Sequence, residues 1–292
     1  MFSGAFTALA TPFRNGALDK EALKKLVEAQ IKGGIDGLVP CGTTGESPTL
    51  SHAEQIEVIT VVAEAASGRV PLIAGAGSNS TAEAIEMASA CKDLGVAATL
   101  QVMPYYNKPS QQGMRDHILR VVEASGVPAV LYNVPSRTVV DLQPATVAEL
   151  AKHELVVAIK EATGDMNRAI EIREQVGHDF ALLSGDDFTL LPFLSVGGNG
   201  VISVGSNIVP GLFARLCEAA ANGRYDEARD LQFKLQPLNR AMFCASNPGP
   251  LKAGLAKLGI MTDEVRSPLQ AVTEGTAAHT QVMDALRALE LV

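Results

Sequence analysis

The sequence predicts an α/β fold, a closed (β/α)8 TIM barrel with an appended C-terminal helical domain, and three observations carry that expectation. Eight short runs rich in Val, Ile and Leu recur along the chain at intervals of roughly 20 to 35 residues. Most of these runs are continuous rather than alternating, as parallel strands covered by helices are. Segments with helical spacing separate them, and after Asn207 no further strand candidate appears. A doubly wound open sheet is the alternative, but that fold more often has about five or six strands and a nucleotide loop.

Taken in order, the expected strands are Ala5–Ala10, Asp36–Cys41, Pro71–Ala76, Ala97–Met103, Ala129–Val134, Val156–Ile159, Ala181–Leu183 and Gly200–Val204. Leu18–Lys32 reads as a helix because Leu23, Leu26, Val27 and Ile31 share a face, with Asp19 as N-cap and Gly33-Gly34 as a stop. Ser51–Ala66 opens with a Ser51/Glu54 capping box and ends before Gly68. Thr81–Leu94, stopped by Gly95, and Gln111–Ser125, stopped by Gly126, follow the same plan. Gly211–Ala221, Tyr225–Phe243, Leu251–Leu258 and Thr276–Leu291 read as C-terminal helices, the second holding Pro237, where a kink is expected. The resulting division is a barrel in residues 1–223 and a helical domain in residues 224–292.

Composition narrows the function. The 292 residues are 47% hydrophobic and 19% charged, enough to bury a large core, and no apolar run is long enough to span a membrane. The start Met1-Phe2-Ser3-Gly4 has no basic segment and leads into a strand, so a cytoplasmic protein is expected. Against 32 Asp and Glu stand 24 Lys and Arg, a net charge of -8 with no basic cluster, which argues against nucleic acid. An anionic ligand would therefore need a local cation or a set of backbone N–H groups. The four cysteines form no CxxC and the five histidines no HxxxH or HExxH, so neither a disulfide framework nor a zinc site is suggested.

In a barrel, chemistry gathers where strands end, and four ends carry unusual residues. Strand two leads into Gly42-Thr43-Thr44-Gly45-Glu46-Ser47, hydroxyls between glycines; strand four leads into Pro104-Tyr105-Tyr106-Asn107. Strand five runs through Tyr132-Asn133-Val134-Pro135-Ser136-Arg137-Thr138, and strand six delivers Lys160-Glu161-Ala162-Thr163 after Val156-Val157-Ala158-Ile159. An ammonium carried into a barrel mouth is poorly hydrated, and desolvation favours the neutral amine that attacks a carbonyl to form a Schiff base. The plainer alternative is a Lys160 paired with Glu161 or another carboxylate, structural or merely solvated. Thr43, Tyr106 and Tyr132 offer hydroxyls that donate and accept, suited to moving protons; a single satisfied hydrogen bond is the alternative for each. Arg137 presents a planar fork that fits a carboxylate, or else a surface salt bridge. Glu46 supports its loop or joins an ordinary ion pair. Val157-Ala158-Ile159-Lys160 spells a kinase lysine motif without its companions, and Gly75-Ala76-Gly77 begins a dinucleotide fingerprint that lacks its third glycine.

Together these segments, with Leu183-Ser184-Gly185-Asp186-Asp187, Gly200-Val201-Ile202-Ser203-Val204 and Asn247-Pro248, resemble the dihydrodipicolinate synthases along the whole chain. The resemblance implies a pyruvate-dependent class I aldolase chemistry without metal or organic cofactor, in a homotetramer built from dimers. It implies that Lys160 is the Schiff-base lysine and Tyr132 the proton donor and acceptor, with Thr43 and Tyr106 completing the relay. Tyr106 would reach into the neighbouring subunit's site. Thr44 and Ile202 match positions that hold pyruvate, and Arg137 the position that binds the carboxylate of L-aspartate 4-semialdehyde. The implied product is 4-hydroxy-tetrahydrodipicolinate, a precursor of lysine and diaminopimelate.

Two alternatives stand beside that expectation. A 2-keto-3-deoxy sugar acid aldolase of the same superfamily would share the lysine and tyrosine, whereas Arg137 in its setting favours aspartate semialdehyde. A non-catalytic barrel binding a small anion would use the same glycine and hydroxyl loops. The family often carries a lysine effector site, and Ser47, His52, Asn79, Glu83 and Tyr105 match positions that line it. Gln55 stands where lysine-sensitive members tend to have His, and Pro48 occupies a neighbouring variable place.

Overall fold

The computed structural model describes residues 2–292. Eight parallel strands form the barrel: β1 Gly4–Ala8, β2 Gly37–Val39, β3 Ile73–Gly75, β4 Ala98–Val102, β5 Ala129–Asn133, β6 Val156–Glu161, β7 Ala181–Ser184 and β8 Gly200–Ser203. They pair in the order β2-β1-β8-β7-β6-β5-β4-β3. The seam between β2 and β3 is closed by Leu38 N donating to the Pro71 carbonyl at 3.1 Å and Gly75 N to the Pro40 carbonyl at 2.9 Å. Gly75 is required there, because a Cβ would collide with the Cys41 carbonyl.

Strand alternation sorts the core into two layers. Phe6, Val39, Ile73, Leu100, Val130, Tyr132, Ala158, Leu183 and Ile202 fill the barrel interior. Leu131, Ile159 and Leu182 face outward onto the helical layer with Met114, Ile118 and Ile172.

The helices begin and end as local chemistry dictates. In α1 (Lys20–Lys32) Asp19 accepts from Ala22 N, and in α2 (His52–Ala66) both halves of the Ser51/Glu54 capping box are present. Helix α3 (Thr81–Ala90) stops earlier than expected: Cys91 N divides its bond between the Met87 and Ala88 carbonyls, tightening the chain into a 3-10 turn at Lys92–Leu94 before Gly95. Helix α4 (Gln111–Ser125) has the expected bounds. Short helices follow at α5 (Pro135–Thr138), α6 (Pro144–Leu150), α7 (Met166–Gln175) and α8 (Leu190–Ser195). A two-residue ladder, Phe13–Arg14 with Ala17–Leu18, was not expected from the sequence.

Among the described residues no strand follows Ser203. The C-terminal segment consists of α9 (Pro210–Ala221), α10 (Tyr225–Met242, running through Pro237), α11 (Gly249–Lys257) and α12 (Ala277–Ala288). Residue 223 falls in the turn between α9 and α10, and one hydrophobic cluster joins Leu23, Leu26 and Ile59 to Leu235, Leu251, Val282 and Leu286 across it. Among the described residues no helix is long and apolar enough to cross a membrane.

Candidate active site

Strand β6 extends two residues past its expected end, because Lys160 and Glu161 both stay in register, opposite Tyr132 and Asn133 on β5 and Leu183 and Ser184 on β7. Lys160 therefore lies within the strand, and the shift from apolar to charged residues in the sequence marked a change of environment, not the end of pairing. Lys160 points into the barrel with Ala158, and Glu161 points out. Lys160 is 7% exposed and Tyr132 6% exposed. Lys160 Nζ lies 4.4 Å from the Tyr132 ring centroid, over its face. Among the described residues no carboxylate forms an ion pair with Lys160. Gly185, beyond β7, leaves room for that side chain: a Cβ there would stand 3.0 Å from Lys160 Cε.

Glu161 belongs to a different network, which explains why it is not the partner of Lys160. It accepts from Asn133 Nδ2 at 3.0 Å, Thr163 N at 2.8 Å and Arg168 Nε at 3.0 Å. Arg168 also donates to Asp141 at 3.1 Å, and Asn133 accepts from Leu142 N at 3.0 Å. This buried network staples β5, β6, α7 and the segment after α5 directly behind the lysine. The sequence reading missed it. Its one legible signal was that Asn133 and Glu161 are polar residues on the otherwise apolar outward face of buried strands, while nothing in the sequence pointed to Arg168.

The loop after β2 carries Thr43 and Thr44. Thr44 is buried, and its Oγ1 accepts from Asn247 Nδ2 at 3.0 Å. The Thr43 carbonyl accepts from Glu46 N at 3.1 Å, closing a tight turn. Glu46 is neither exposed nor in a surface pair: Lys252 of α11 donates to Oε1, and Arg266 N donates to Oε2 at 2.9 Å. Ile202 on β8 faces the same interior as Tyr132. Beside it, buried Asp187 uses Oδ2 to accept from Val204 N at 3.1 Å and Gly205 N at 2.9 Å, and its Oδ1 has no partner. Burial pushes the Asp187 carboxyl up to about 6, against the opposing pull of those N–H groups.

Two predicted residues stand apart from this cluster. Tyr106 adopts φ 71° and is 88% exposed, with no hydrogen bond from its hydroxyl among the described residues. Arg137 sits in α5, exposed and without an ion pair among the described residues, so the surface salt bridge is not formed. Of the effector positions, Asn79 Nδ2 donates to the Tyr105 carbonyl at 3.1 Å and Glu83 accepts from Ser78 Oγ at 2.7 Å. Gln55 is turned inward instead, donating to the Ser47 carbonyl at 3.1 Å, while His52 is exposed at the start of α2. Among the described residues no three His, Cys, Asp or Glu side chains converge as a metal site would require.

A family model described as the dihydrodipicolinate synthetase family matches residues 1–289. The chain belongs to that family. The 4-hydroxy-tetrahydrodipicolinate synthase of Maridesulfovibrio salexigens is 49% identical over 281 residues, 96% of each chain. Among solved members of the dihydrodipicolinate synthetase family, the chloride-inhibited enzyme of Acinetobacter baumannii complexed with pyruvate superposes with a TM-score of 0.97 at 39% identity, covering 100% of both chains. The Cyanidioschyzon merolae enzyme with lysine bound gives 0.96 at 40% identity, covering 100% of this chain and 99% of its own. The barrel and the helical C-terminal segment are thus the family's architecture.

Proposed function

We propose that the protein is a 4-hydroxy-tetrahydrodipicolinate synthase, a lyase that condenses pyruvate with L-aspartate 4-semialdehyde on Lys160. The observation that supports it most is the placement of Lys160 inside the barrel, against Tyr132 and with Glu161 committed elsewhere. In this reading Lys160 Nζ attacks the ketone of pyruvate and water leaves, giving the Schiff base. Removal of a methyl proton gives an enamine, whose carbon attacks the aldehyde. The amine of the second substrate then closes the ring on the imine carbon and displaces Lys160. Tyr132, with Thr43 and Tyr106, moves the protons. Thr44 and Ile202 hold pyruvate, and Arg137 is free to clamp the carboxylate of the second substrate. No step calls for a metal or an organic cofactor.

The same reading gives a cytoplasmic homotetramer built from dimers, in which the exposed Tyr106 completes a neighbouring subunit's relay. Light scattering of the purified protein tests it, and a monomer with full activity contradicts it. Ser47, His52, Asn79, Glu83 and Tyr105 are proposed as a lysine effector site; the Asn79–Tyr105 contact and the Glu83 carboxylate beside it support that reading. The deciding assay offers pyruvate with aspartate semialdehyde and, separately, with an aldehyde derived from a keto-deoxy sugar acid. Turnover confined to the first is expected; turnover confined to the second identifies a sugar acid aldolase, and trapping of neither a binding protein.

A further inference from the structure

We propose that the buried Lys252–Glu46 ion pair is a positioning device for the Thr43–Thr44 loop, serving the geometry of the pyruvate site and not stability. The proposal rests on the functional reading above, since it concerns the loop assigned to pyruvate and the proton relay. Both side chains are 0% exposed. Taking two charges out of water is costly, and apolar residues of similar volume serve stability as well or better. Burial pushes the Lys252 ammonium below its usual value, with Glu46 pulling the other way. A pair buried under such conditions calls for another explanation.

Geometry supplies one. Each charge has a second partner: Lys252 Nζ donates to the Glu264 carbonyl at 2.7 Å, and Glu46 accepts from Arg266 N at 2.9 Å. Lys252 Nζ and the Arg266 guanidinium carbon each lie 4.3 Å from the Phe13 ring centroid, so neither cation has slack. Glu46 itself has φ 57° and Cys41, at the other end of the loop, φ 56°. Left-handed backbone at two residues other than glycine is strained and persists only where the surroundings enforce it. Asn247 fastens Thr44 from the same C-terminal segment, and Thr11 Oγ1 donates to the Gly45 carbonyl at 2.6 Å. The loop is therefore held from α11 at the residue that ends its strained turn. Lys252 touches no reacting atom and acts through Glu46.

The test separates stability from positioning. Lys252→Met alone leaves a buried carboxylate unpaired and is expected to lower the thermal midpoint. The double variant Glu46→Leu with Lys252→Met is expected to regain the wild-type midpoint while its KM for pyruvate rises roughly tenfold and trapping of pyruvate by borohydride slows in proportion. A double variant that regains both the midpoint and the pyruvate KM overturns the proposal. Should the double variant not fold, Glu46→Gln, which keeps the shape, decides: KM for pyruvate is expected to rise while KM for aspartate semialdehyde stays within about twofold, and unchanged pyruvate KM overturns it. Wild-type protein that pyruvate and borohydride fail to modify would sink the functional reading itself. Wild type modified, with the double variant modified equally fast, sinks only the positioning role.

Discussion

Lys160 and Glu161 are consecutive residues of one strand that serve opposite sides of the barrel wall: the lysine rests on the Tyr132 ring inside, and the glutamate joins Arg168 and Asn133 outside. Strand alternation alone accomplishes the separation. A carboxylate next in sequence is thereby kept from pairing with the lysine, while its own charge is met by Arg168.

Removing Arg168 should therefore expose the cost of the buried carboxylate. Arg168→Met is expected to reduce the free energy of unfolding by about 3 to 5 kcal/mol, measured by urea denaturation. An unchanged stability would contradict the network's structural role.

Arg137→Ala should behave differently, because the side chain is exposed and makes no ion pair among the described residues. Stability is expected to stay within about 0.5 kcal/mol of wild type. Pyruvate trapping should persist, while kcat/KM for aspartate semialdehyde falls by two orders of magnitude or so, as expected for loss of a bidentate carboxylate clamp. Equal turnover would remove Arg137 from the substrate site.

These contrasts also show what could be read in advance. The barrel was legible because eight apolar runs and the helix ends between them are local signals: Ser51 and Glu54, or Gly126, act within a few residues of themselves. Lys160 and Tyr132 were legible because Lys160 directly follows one such run and Tyr132 lies near the end of another. The Glu46–Lys252 pair was not, since its partners are 206 residues apart and nothing in either neighbourhood names the other. Asp187 was quoted within a motif, but its grip on Val204 and Gly205 depends on β7 and β8 being neighbours in the closed sheet. The end of β6 is not legible from hydropathy, because the apolar run stops at Lys160 whereas backbone pairing continues through Lys160 and Glu161.

Two buried groups should give stability opposite pH dependences. His117, bonded through Nδ1 to Thr81 and buried with Nε2 unpartnered, is pushed by burial from 6.5 to about 4. The unfolded chain takes up this proton first, so the contribution is complete above pH 6.5 and lost as the pH falls toward about 4. Asp187 is raised from 3.8 to about 6, so its contribution is complete below pH 3.8 and lost as the pH rises through about 6. Each is worth at most about 3 kcal/mol. Urea denaturation across this range should show His117→Leu losing less stability than wild type on acidification. Asp187→Asn should gain relative to wild type as the pH rises. Parallel curves for either variant and wild type would contradict the corresponding assignment.

The most direct measurement is reduction of the protein with borohydride in the presence of pyruvate, followed by peptide mass mapping. A single 1-carboxyethyl group on Lys160 is expected, with loss of activity in step with its appearance. An unmodified Lys160 in protein that turns over normally, or the label on another lysine, would contradict it.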